Sequence, residues 1–247
     1  MRAEPTPIWA GAWQLFRSNI SLLLAISAIE LLIEIAFGWS YDGFLALISI
    51  VALVATTMIS AYVIHISALT GKTFSAKNLT RLSVLPNRAF TVIFIATGFV
   101  LITSLIGFER LFSQHDYLLA PLIALAAVFV VYFAFLCRFG TVFPAAAHAS
   151  DWSLIEAFMR GRGTSWTLCK DLIVGAVAGN LALIFLAAKL GSFDVSIYAW
   201  LENGAFSVTG TITAFLFYLG YKFVTVLGVV AFCKAYRSSG MNSTEAR

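Results

Sequence analysis

The chain has 247 residues, of which 60% are hydrophobic and 11% charged, with a formal net charge of +4. Soluble domains carry about 25% charged residues, and a soluble fold of this composition would be left with a large exposed apolar patch. A lipid bilayer is therefore the expected surrounding, and so small a net charge carries no nucleic-acid signal.

Residues 1–7 are too short and too mixed in charge for a signal n-region, and no small-residue cleavage pattern follows the first apolar stretch. That stretch is expected to stay as a span. Residues 8–19 form an entry segment of mixed character ahead of it. A span needs roughly 20 apolar residues to cross about 30 Å of hydrocarbon. Six stretches qualify: 20–39, 44–69, 89–108, 117–137, 172–189 and 205–233. Backbone groups inside lipid need internal partners, so each should be helical. The fold class expected is all-α, a single polytopic membrane domain over 1–247 with about six transmembrane helices and short cytoplasmic interfacial helices.

Charge gives the orientation. With the N-terminus inside, 13 of the 16 Lys and Arg residues fall in cytoplasmic segments. Arg110 and Lys189 fall outside, and Lys222 lies within the sixth span. This asymmetry follows the positive-inside rule, with both termini cytoplasmic. The tryptophans agree: Trp9, Trp13, Trp152 and Trp166 fall at the inner interface, and Trp39 and Trp200 at the outer one. Cys137, Cys169 and Cys233 lack a C-x-x-C spacing and read as small packing residues.

Three cytoplasmic segments, 8–19, 76–88 and 153–166, each precede a helical hairpin, at spacings of about 70–75 residues. The third is the best defined. Ser153 and Glu156 form a capping-box pattern. Leu154, Ile155, Phe158 and Met159 can share one face, with Glu156 and Arg160 at i, i+4 on the other. Gly161-Arg162-Gly163-Thr164-Ser165 is then expected to break this helix and cap the fifth span. Such a helix start, with Arg160, Arg162 and Lys170 around it, would suit an anionic-lipid phosphate.

Two stretches carry a family likeness. One is Arg138, Phe143-Pro144-Ala145, Glu156-Ala157 and Arg160, followed by Trp166; the other is Trp13-Gln14-Leu15-Phe16-Arg17-Ser18-Asn19. Together they resemble a group of bacterial six-span inner-membrane proteins, similar to the membrane domain beside some glycerophosphodiester phosphodiesterases. The resemblance implies a bacterial inner-membrane location and supplies no catalytic residue.

Ionisable residues inside spans are costly and by default mark a site. Glu30 and Glu34 sit i, i+4 on span one, and Lys222 lies in span six. At about 1.5 Å per residue, Glu30 and Lys222 each lie roughly 18 Å from the inner boundary. They would meet if spans one and six are neighbours, with Glu34 near the level of Tyr218. Asn180, about 15 Å in by the same rise, is the fourth candidate. Either these residues bind a ligand or ion, or Glu30 and Lys222 form a pair that fixes helix register. Gly175 and Gly179 form a G-x-x-x-G suited to close helix packing, and the long sixth span should tilt or run on into the cytoplasm.

No metal site or cofactor is expected, because His65, His115 and His148 fall in different regions without a second ligand at metal spacing. No hydrolase or phosphate-binding motif occurs. The function expected is non-enzymatic: membrane-embedded binding or transport of a small or lipid-like molecule. The alternative is an accessory or assembly subunit whose partners are other membrane proteins.

Overall fold

A computed structural model describes residues 7–37, 43–78, 85–99, 120–149, 153–200 and 205–245. The described residues are almost wholly helical. They comprise α1 (Ile8–Ser18), α2 (Ile20–Phe37), α3 (Gly43–Thr70), α4 (Arg88–Phe99), α5 (Ala120–Phe139), α6 (Val142–Ala149), α7 (Leu154–Leu172), α8 (Ala178–Gly191) and α9 (Val208–Glu245). A π-helical turn, Ile173–Val177, joins α7 to α8, so that Leu154–Gly191 runs as one helix.

Four helical stretches are long and apolar enough to cross a membrane: Ile20–Phe37, Leu47–Thr70, Leu154–Gly191 and Val208–Ser239. A fifth is formed if the bent pair Ala127–Phe139 and Val142–His148 is one span. Only 17 to 33% of the apolar window in each of the four is buried within the protein. Leu32, Ile50, Val51, Ile184 and Phe185 are all more than half exposed. So many exposed apolar side chains on long helices need an apolar solvent. The chain is an all-α polytopic membrane protein. Of the expected third span, the described part is α4; residues 100–108 lie outside the described residues. So do the predicted turns at 40–42 and 109–116, with Arg110 and His115.

The chain divides into two compact units. The first comprises residues 1–86 and 171–231. Its N-terminal half turns on Asn19, which is wholly buried. Asn19 Nδ2 donates to Leu15 O at 2.9 Å and to Ser67 Oγ at 2.9 Å, while Oδ1 accepts from the Phe74 amide at 2.9 Å. One amide thus closes the C-terminus of α1 and ties it to α3 and the segment beyond. Leu22, Ile26 and Val63 pack in the core between α2 and α3.

The glycine pair on the fifth expected span works within this unit. A Cβ on Gly175 would lie 3.2 Å from Ile8 Cδ1, and one on Gly179 2.9 Å from Val224 Cγ2. These contacts are with α1 and α9, so the G-x-x-x-G serves internal packing. The π turn also places the Val174 carbonyl where the Trp9 indole donates to it at 3.1 Å. Phe16 and Phe223 meet edge to face with centroids 5.3 Å apart, seating α1 on α9.

The second unit comprises residues 87–170 and 232–247. Asn87 caps α4, its Oδ1 accepting from the Phe90 amide at 2.8 Å, and its Nδ2 donates to Ala146 O at 2.8 Å. The 51° bend between α5 and α6 has a local cause. Pro144 has no N–H to give the Gly140 carbonyl, which accepts from the Phe143 amide at 3.3 Å instead.

One expectation is corrected here. The helix does not break at Gly161–Ser165. Ser153 Oγ does cap its start, accepting from the Glu156 amide at 3.3 Å, and Arg160 pairs with Glu156 at 3.3 Å. The helix then continues, and Gly161 lets it approach the Arg138 carbonyl, with which an added Cβ would collide. Thr164 and Ser165 donate their hydroxyls to the carbonyls of Arg160 and Gly161, one turn back, rather than capping a new helix. In the second entry segment, 76–88, a 3₁₀ turn covers Ala76–Asn78 and an irregular stretch, 85–87, leads into α4, while 79–84 lie outside the described residues. α9 runs for 38 residues, past the expected end of the sixth span at 233 and on to Glu245.

Candidate functional site

Four candidate residues, Glu30, Glu34, Asn180 and Lys222, come together in the first unit. α2 and α9 are neighbours, as the depth comparison requires. Lys222 Nζ pairs with Glu30 Oε1, and both side chains are buried, at 1% and 3% exposure. Thr56 on α3 donates its hydroxyl to the same Oε1 at 2.9 Å. The pair therefore links three helices through one carboxylate. In a medium that cannot hydrate ions, neither partner could stand alone at this depth.

Glu34, one turn further along α2, is held differently. Its Oε1 accepts the Ala199 amide at 2.8 Å, and its Oε2 accepts the Tyr218 hydroxyl at 2.9 Å. The Trp200 indole donates to the Ile35 carbonyl at 3.1 Å, and the Ser207 amide donates to the Ala199 carbonyl at 2.9 Å. The connection between α8 and α9 is thus pinned across the end of α2. Gly210 allows this closeness, because a Cβ there would strike the Tyr198 carbonyl. Glu34 anchors a loop as well as facing the interior.

A cavity of about 490 Å³ lies against these groups. Its walls come from α2, α3, α8, α9 and the loop at 197–198. Glu30, Glu34 and Lys222 are its charged lining residues; Phe217, Tyr198, Tyr218 and Tyr221 supply aromatic rings, and Leu53, Leu183 and Ala187 aliphatic wall. Ile184 and Tyr221 line it and are 64% and 48% exposed. They mark an open side on the flank of α8 and α9, and Tyr198 on the adjoining loop is 63% exposed as well. Asn180 lines the same cavity but spends its Nδ2 on the Ala176 carbonyl at 2.9 Å.

The anionic-lipid candidates do not converge, which corrects the expected phosphate site. Without a break at Gly161 there is no helix N-terminus to receive an anion. Arg160 and Arg162, two apart on a continuous helix, point to different sides. The Arg160 guanidinium lies 5.4 Å over the Tyr236 ring besides pairing with Glu156. Lys170 lies 5.8 Å from the Trp166 ring, and Arg162 is exposed.

Thr56, Tyr198 and Tyr221 were not singled out by their sequence context. Thr56 could have been found by its depth, since it lies one hairpin away at the level of Glu30. The tyrosines carry no such signal in a chain with eight of them.

Fold and site together define a polytopic α-helical membrane protein with a buried ion pair beside a side-opening cavity. No protein-family model, curated protein or solved structure matches the chain.

Proposed function

We propose that this protein binds, and by extension moves, a small or lipid-like molecule within the membrane, without chemical conversion. The observation that carries this reading is the cavity over Glu30 and Lys222. Its walls are mainly aliphatic and aromatic, a few polar groups line it, and its open side is flanked by exposed apolar residues. Ligand sites commonly combine these features. An opening on the helix flank admits a molecule dissolved in the bilayer, without passage through water.

In this reading six spans place both termini in the cytoplasm of a bacterial inner membrane, as the basic residues favour. The cavity then lies towards the outer leaflet, because its walls include the connection between α8 and α9. The resemblance to the six-span domain beside glycerophosphodiester phosphodiesterases is compatible with such a role and adds no residue to it.

Filling the cavity tests the reading. Ala187→Trp should leave the fold intact and remove whatever small molecule copurifies with the wild type in a mild neutral detergent, as read by native mass spectrometry. Wild type and variant carrying identical bound species, or none, would contradict it. A stable partner protein in both would favour the accessory-subunit alternative.

A further inference from the structure

We propose that the ligand of this cavity is a lipophilic organic cation: an ammonium or phosphonium centre on an apolar body. This rests on the binding reading above and names its substrate class. Two carboxylates and one ammonium line the cavity, a formal surplus of one negative charge. Lys222 offers little to an anion, since its ammonium is 1% exposed and already paired with Glu30. Glu34 accepts one hydrogen bond at each oxygen, and a carboxylate has about four acceptor positions. A surplus carboxylate facing a cavity of low polarity attracts a cation far more strongly than it would in water.

The rings strengthen the assignment. Phe217, Tyr198, Tyr218 and Tyr221 all line the space. Aromatic faces attract cations through the ring quadrupole, most strongly when water is excluded, and several rings together recognise quaternary centres that cannot donate hydrogen bonds. An anion would meet the same faces and the surplus carboxylate with the wrong sign. A zwitterionic lipid would bring its own phosphate against Glu34. A free lipophilic cation satisfies both features without that cost.

The test uses two probes of matched shape and opposite charge, tetraphenylphosphonium and tetraphenylborate. Each is titrated into the full chain in dodecyl maltoside, and site binding is the difference between wild type and Ala187→Trp. The phosphonium should bind the site at least about tenfold more tightly than the borate, about 1.4 kcal/mol or more. Glu34→Gln should erase most of that preference. Should Glu34→Gln fail to fold, Tyr221→Leu serves: it should weaken phosphonium binding, and Tyr221→Phe should restore it. Equal affinities, or tighter borate, would overturn the proposal. If neither ion binds while Ala187→Trp still displaces a copurified lipid, the cation class falls and the binding reading stands. If Ala187→Trp displaces nothing as well, both fall.

Discussion

Lys222→Met should be the most damaging single substitution in the first unit, lowering stability by about 3–5 kcal/mol in detergent unfolding. The loss comes less from the missing attraction than from what it leaves behind. Glu30 would remain buried beside the Thr56 hydroxyl with its countercharge gone. The double variant Glu30→Gln, Lys222→Met should recover most of that loss, because no charge then stays uncompensated. If the single and double variants unfold alike, the pair is not the coupled unit described here. The comparison separates a register-fixing pair from two groups that merely lie close.

Asn19→Leu should cost about 2–4 kcal/mol, from two or so buried polar groups left unpaired at about 1–2 kcal/mol each, the lower part of the range for such groups. Leucine keeps much of the volume and removes the acceptor for the Phe74 amide and the donor to Ser67 and Leu15. The effect should appear in thermal unfolding and as faster amide exchange at Phe74. Asn19→Asp keeps the acceptor at Phe74 and should preserve that amide's protection better than leucine. Equal loss in both would show that packing, not this hydrogen bond, holds the segment.

These two residues show what was legible in the sequence. Glu30 and Lys222 stand out because charge inside a span is expensive, and helical rise converts their positions into matching depths. That arithmetic also put Glu34 at the level of Tyr218, where the hydroxyl indeed meets the carboxylate. Asn19 gives no such warning. It sits at the edge of a span, where a polar residue is ordinary, and its partners at 67 and 74 are set by tertiary packing. The Ala199 amide was invisible for a related reason: a backbone donor belongs to a loop path, which composition does not encode. Gly161 misleads because two glycines near a threonine and a serine look like punctuation. In the folded protein Gly161 serves closeness to Arg138, and the helix persists. The cavity itself had no sequence signature. It is a space left between walls, and only its charged lining is traceable.

Chemical access to Thr57 measures most directly whether a small molecule can enter the interior. Thr57 lines the cavity and is partly buried. With the native cysteines replaced by serine, Thr57→Cys in membranes should react with N-ethylmaleimide, and adding Ala187→Trp should suppress the labelling. A folded Thr57→Cys protein that stays unlabelled, or one labelled equally with the tryptophan present, would mean a sealed interior and would contradict the account.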